Sequence, residues 1–293
     1  MGRRDLSDEE RARLEPHLPT NRGRGGRWQC HRRVISGILF RQRTGLPWRD
    51  LPACFGSWKT VHDRHRRWSA DGTWERILRA VQTDADAEER IDWSMVGVDS
   101  TTCRAHQHAA GASTRVPQLP GRRRSPARHR SDEAMGRSRG GFTNKIHLAG
   151  EGGCRPLGFV ITPGQWGDAP QMIPALEEIR VSWQAGGRPR TRPDAVLADR
   201  AYSSRAIRSH LRRRGIRAVI PPPSDQIGHR LRRGCAGGRA PAFDSEAYKQ
   251  RNAVDRCINR LKQWRGLAMR TDKLAIAYQA ALHLAVIRSW VRR

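Results

Sequence analysis

Over residues 6–80 apolar side chains recur at helical spacing, and from residue 95 onward they gather in short runs separated by amphipathic stretches. The first pattern predicts a set of helices, the second an alternation of strands and helices. Ser7-Asp8-Glu9-Glu10 is a capping box that opens the first helix, which ends near Pro16 or Pro19. Val34, Ile35, Ile38 and Leu39 mark one face of a second helix, stopped at Thr44-Gly45. Ser57 is placed to cap a third helix carrying Trp58, Val61, His65 and Trp68, and Thr73 a fourth carrying Trp74, Ile77, Leu78 and Val81. Tryptophans at that spacing are expected in a core.

Residues 95–99 form an apolar strand ending in Asp99, and 143–148 and 157–161 an antiparallel pair turning at Gly152-Gly153. A helix is expected over 168–181. The run 195–198 is a strand ending at Asp199, followed by a helix capped by Ser203 or Ser204. A short strand at 217–220 is cut off by Pro221-Pro222-Pro223, and helices over about 245–265 and 273–291 close the chain. The sum is an α/β fold, a mixed sheet with flanking helices, preceded by a small all-helical, helix-turn-helix-like domain. The expected division is a helical DNA-binding domain over 1–82, a polar acidic linker over 83–93, and a catalytic domain over 94–293. A basic loop at 121–139 and a Gly/Arg-rich mobile loop at 222–243 interrupt the last.

Charge narrows the picture. Of 293 residues 56 are basic and 28 acidic, a formal charge of +28, with a pI near 11.5. Only 5 of the basic residues are lysine, so genomic bias accounts for arginine over lysine but not for the excess of bases. Such a surface favours a polyanion, with steep salt dependence from counterion release. The basic faces of the third helix, with Arg64, Arg66 and Arg67, point to DNA contact, as do Arg137 and Arg139 in the basic loop. The six cysteines form no Cys-x-x-Cys pair, which fits a reducing cytoplasm and not a disulfide framework. No apolar leader is evident, and the run 274–291 is broken by Gln279, His283 and Arg288, as in a buried helix and not a membrane span.

The candidate chemistry is carboxylate chemistry. Asp99 and Asp199 each follow an apolar strand. On the helix beyond Tyr248, the residues Arg251, Asp255, Asn259 and Lys262 fall in one stripe, opposite the apolar Val254, Ile258 and Leu261. Hard dications take oxygen ligands, and three acids with cations beside them suit phosphodiester cleavage on two Mg²⁺ ions. Plain readings compete: Asp199 as a turn residue leading into a helix, and Asp255 as one partner in exposed helical ion pairs. His106 and His108 lack a second pair to finish a tetrahedral metal site and are expected to pack or to meet DNA.

Tyr248-x-x-Arg251-x-x-x-Asp255-x6-Lys262 resembles the Y-(2)-R-(3)-E-(6)-K signature of bacterial insertion-sequence DDE transposases of the four/five superfamily. The phrases around Asp99 and Asp199, Gly-Phe-Thr-Asn-Lys-Ile-His-Leu, and 162–170 resemble its insertion sequence five branch, as does the helical segment over 6–80. The resemblance implies an RNase H-like fold and cut-and-paste transposition of double-stranded DNA at terminal inverted repeats. It also implies two Mg²⁺ (or Mn²⁺) ions, a homodimer on DNA, and a bacterial cytoplasmic setting on the nucleoid. Asp99, Asp199 and Asp255 would be the catalytic metal ligands, and Tyr248, Arg251 and Lys262 would contact phosphates. One departure stands out: the family's third acid is usually Glu, and Asp255 is shorter by about 1.5 Å of reach. A DNA-binding protein with impaired catalysis is the alternative this leaves open.

Overall fold

In the computed structural model, residues 6–20, 28–111 and 133–292 are described. The N-terminal region consists of α1 (Asp8–Leu14), α2 (His31–Thr44), α3 (Trp58–Ala70) and α4 (Thr73–Ala87). The capping box is formed on both sides: Ser7 Oγ accepts from Glu10 N, and Glu10 Oε2 accepts from Ser7 N. The other two expected caps differ. Ser57 precedes α3 without a side-chain cap bond, and Asp71, not Thr73, accepts the Thr73 amide at the start of α4. The shorter Asx-type reach from Asp71 reaches that amide first.

The second part of the chain begins with β1 (Val96–Ala105), followed by the single turn α5 (Gln107–Ala110). Then come β2 (Gly136–Ser138), β3 (Gly141–Glu151), β4 (Pro156–Pro163), α6 (Met172–Glu177) and β5 (Ala195–Leu197). Next are α7 (Arg205–Arg213), β6 (Arg217–Val219), α8 (Ser224–Arg232), α9 (Ser245–Tyr248) and α10 (Asn252–Lys262). The short α11 (Arg265–Ala268), β7 (Met269–Arg270) and α12 (Ala275–Val291) complete it. Strands β1, β3 and β4 form an antiparallel meander, and β5 and β6 continue the sheet in parallel from the other edge of β1. Three antiparallel strands followed by two parallel ones, with helices packed on the sheet, is the RNase H-like α/β arrangement expected.

Asp99 does not end its strand. It is the fourth residue of a ten-residue β1 that pairs with β3 from Val96↔Glu151 to Arg104↔Thr143. The β-branched Thr101-Thr102 carries the extended conformation past the acid. The helix expected over 168–181 contracts to a 3₁₀ turn and α6, after which Val181 bridges back to Arg190. The mobile loop expected over 222–243 contains α8 and a further 3₁₀ turn, Gly234–Gly237. The part of the basic loop at 121–132 lies outside the described residues, whereas Glu133 to Met135 are buried.

Helix α4 runs on to Ala87, past the boundary drawn at 82, and the segment after it is pinned: Trp93 Nε1 donates to Asp86 and Ile91 is buried. The C-terminal helix explains the joint. Apolar nearly all round, α12 packs on α3, α4 and β4, and Trp290 Nε1 donates to the Pro156 carbonyl. Buried Glu10 and Arg288 pair at 3.5 Å. One core therefore spans the N-terminal helices and the sheet. Among the described residues no helix is long and apolar enough to cross a membrane.

Candidate active site

Helix α10 lies on the sheet through its apolar side. Val254, Ile258 and Leu261 are buried and Lys262 is exposed, while Asp255, and Arg251 on the 3₁₀ turn Lys249–Arg251 just before the helix, are half-buried. Its approach to β1 is close because residue 97 is glycine: a β-carbon there would lie 2.8 Å from Val254 Cβ. Two residues on, the same face of β1 carries Asp99. Arg251 joins the two acids, its Nη2 2.7 Å from Asp99 Oδ2 and its Nη1 3.0 Å from Asp255 Oδ2. The Ser100 amide donates to the other Asp99 oxygen at 2.7 Å.

Burial pushes the Asp99 carboxyl up to about 6, and the neighbouring Asp255 adds to the rise; the Ser100 amide and Arg251 oppose it. A carboxylate drawn from water beside a second carboxylate is a place where positive charge is in demand. That is the electrostatic condition of a cation site.

Asp199 stands one strand away. Leu197 is in parallel register with Gly97, so the chain reaches Asp199 at the level of Asp99. Its Oδ1 accepts from the Ala201 amide at 2.9 Å and caps the turn Arg200–Tyr202, the plain role weighed for it. The structure thus brings Asp99 and Asp255 together on one guanidinium. Among the described residues no three His, Cys, Asp or Glu side chains converge as a metal-binding group.

The expected DNA contacts divide. Lys262 is exposed at the end of α10, Arg66 and Arg67 are exposed on α3, and Arg137 and Arg139 are exposed at the β2–β3 turn. Tyr248 is half-buried and packs edge-on against Phe243, ring centres 5.3 Å apart. Arg64 is a correction: it is buried, its guanidinium lies 4.1 Å from the Trp28 ring and 5.4 Å from the Trp68 ring, and Nη1 is 3.2 Å from His31 Nδ1. The Trp28 ring, ahead of α2, and the Trp68 ring, in the last turn of α3, hold that cation in the core. The His106 and His108 rings pack edge to face 4.4 Å apart, and His106 Nδ1 accepts the His108 amide.

A second polar cluster, on the opposite face of β1, has no counterpart in the sequence reading. Lys145 Nζ donates to Asp168 Oδ1 and to the Trp166 carbonyl, both at 2.9 Å. Buried His147 meets the Thr162 hydroxyl at 2.8 Å, and its Nδ1 is 3.8 Å from Asp168. Burial would raise Asp168, but hydrogen bonds from Lys145 and Ser100 hold it below the usual carboxylate range. Buried Tyr202, on the turn that Asp199 caps, is pushed upward by burial and by Asp99, Asp168 and Asp199. The available signal was alternation: Lys145 and His147 share a strand face with each other, and register sets them beside Thr102 and Ser100.

Residues 94–290 match the family model of a transposase DDE domain, and residues 6–78 match one described as a putative transposase of the IS4/5 family. The chain belongs to the transposase DDE domain family. This transposase is 36% identical over 133 residues to an uncharacterized 16.2 kDa protein of insertion element IS402 from Burkholderia cepacia, across 43% of this chain and 88% of that one. It is 27% identical over 155 residues to a putative transposase for insertion sequence element IS6501 of Brucella ovis, across 52% of this chain and all of the relative. Among solved structures, the transposase is similar to that of the Mos1 mariner paired end complex with Mn, at 11% identity and a TM-score of 0.26, over 86% of this chain and 81% of that one. The fold assignment rests on the strand order and the family match.

Proposed function

We propose that this transposase moves DNA by cut-and-paste: hydrolysis at terminal inverted repeats frees a 3′ hydroxyl, which then attacks a phosphodiester of target DNA. The observation that carries the reading is the meeting of Asp99, from the central strand, with Asp255, from a distant helix, at one cation. Hard carboxylate oxygens suit Mg²⁺ or Mn²⁺ in kind, and Asp99, raised by burial and by the neighbouring Asp255, is now paired with a guanidinium in place of an ion. Asp99 and Asp255 would hold the metal, and Asp199, whose Oδ1 now accepts the Ala201 amide, would turn from that bond to join them as the third ligand. Bound divalent ions supply an activated water and steady the leaving 3′ oxygen. Arg251 and Lys262 neutralise the phosphates on either side of the scissile bond, and Tyr248 positions the strand. Arg66 and Arg67, and Arg137 and Arg139, add backbone contacts that fix register without reading sequence. The active form is a homodimer holding two element ends, working on the bacterial nucleoid in the cytoplasm.

A second reading, inverted-repeat binding without cleavage, draws on Asp255 in the place of the family's usual Glu. A Mg²⁺-dependent strand-transfer reaction with element-end duplexes separates the two. Joined products from the natural chain, lost in Asp99→Asn, carry the first reading; tight binding with no cleavage under any divalent ion carries the second.

A further inference from the structure

Arg251 is clamped where a dication would sit. One nitrogen of its guanidinium faces Asp99 at 2.7 Å and the other faces Asp255 at 3.0 Å, while its Nε has no hydrogen-bond partner. The side chains of Arg251 and Asp99 are only 22% and 18% exposed, so little water competes for either. The guanidinium therefore uses the same carboxylate oxygens that a divalent ion would need. A dication arriving there would leave the guanidinium unpaired beside it, so its release is favoured when another anion takes its charge. A DNA phosphate is the anion whose geometry matches two parallel N–H donors.

We propose that Arg251 couples metal loading to the arrival of DNA. In the free protein it is the counter-ion of the Asp99–Asp255 pair; when DNA docks it passes to a backbone phosphate and releases both carboxylates to the metal. This inference rests on the reading of Asp99 and Asp255 as metal ligands. Its consequence is that DNA and divalent ions bind cooperatively, each tightening the other by the same factor. A protein with +28 charge meets DNA of every sequence, and a site that stays closed to metal until a phosphate reaches Arg251 is protected from idle hydrolysis. Lysine at 251 would supply charge without the two-pronged fork.

The test is Mn²⁺ binding followed by calorimetry and electron spin resonance, with and without a pre-cleaved element-end duplex. The natural chain alone is expected to bind Mn²⁺ weakly and to gain about tenfold with the duplex, in the usual range of such couplings. Arg251→Gln alone should bind Mn²⁺ about as tightly as the natural chain does with DNA, and the duplex should add little. Arg251→Lys should fall between them, and it carries the comparison if the glutamine variant fails to fold. The proposal is overturned if DNA-free Arg251→Gln and Arg251→Lys bind Mn²⁺ no tighter than the natural chain, or if the duplex tightens all three alike. Asp99→Asn separates the two levels of failure. Loss of Mn²⁺ binding in Asp99→Asn with no gain in the Arg251 variants sinks the coupling alone. Unchanged binding in Asp99→Asn sinks the metal site and the coupling with it.

Discussion

Gly97 lies so close beneath Val254 that a β-carbon at 97 would come within 2.8 Å of Val254 Cβ and 3.1 Å of its Cγ1. Val254 is fully buried and precedes Asp255 on the same helical turn, so this contact sets how near α10 brings its acid to Asp99. Gly97→Ala is expected to cost about 1–3 kcal/mol by overpacking and to lower strand cleavage more than DNA binding. Urea denaturation and a cleavage assay check it; full activity with unchanged stability would refute the spacing role.

Asp255→Glu lengthens the acid by one methylene and restores the residue usual in the resembling signature. If reach limits this copy, the variant should cleave faster, by up to ~100-fold, since displacing a catalytic group by about 1 Å costs that order. Asp255→Asn should abolish cleavage and leave duplex binding intact. Single-turnover rates on an element-end substrate decide the matter; a slower Glu variant would mean that the site is already matched to aspartate.

Arg64 and its neighbours on α3 should part company. Arg64→Ala removes a cation packed on Trp28 and Trp68 and should cost stability, about 1–3 kcal/mol, with little change in salt dependence. Arg66→Gln with Arg67→Gln should leave the melting temperature in place and reduce the slope of log K against log salt by roughly 2. The reverse pattern would remove α3 from the DNA surface.

Acid should unfold this protein through its buried histidines. Desolvation lowers His65 and His147 from 6.5 to about 4, and both are buried. The unfolded chain takes up protons at these sites that the folded chain refuses, so stability is complete above pH 6.5 and falls as pH drops toward 4. Each contributes roughly 3 kcal/mol over that window. His65 has no hydrogen-bond partner on either nitrogen, so His65→Leu should be nearly neutral at pH 7.5 and less acid-sensitive than the natural chain. Denaturation curves across the window test the sign directly.

Much of the architecture was legible from the chain because the relevant signals are local. The Ser7–Glu10 box and the apolar α12 depend on residues within a few turns and form as expected, whereas the helix expected over about 245–265 is broken by the 3₁₀ turn Lys249–Arg251, so that Arg251 stands just ahead of α10. The errors arose where a distant partner overrode a local cue. Charge marks Arg64 as a surface residue, yet Trp28 and His31 reach it from another part of the chain. An acid after an apolar run reads as a strand end, yet pairing with β3 carries β1 through Asp99 to Ala105. The Gly- and Arg-rich stretch after Pro223 lacks a core-facing stripe, and α8 forms there with none of its residues buried.

The amino-acid sequence by itself determined which residues are acids, which are cations, and which helical face each occupies, because backbone periodicity fixes faces without reference to the rest of the molecule. Membership of the transposase family follows from the same order of residues. Only the tertiary structure decided that Arg251 stands between Asp99 and Asp255, that Asp199 turns its oxygen to its own backbone, and that Lys145, Asp168 and His147 gather behind the central strand. Those relationships depend on strand order and on Gly97 letting a helix close upon a sheet, and no local pattern encodes the distance between segments that far apart in the chain.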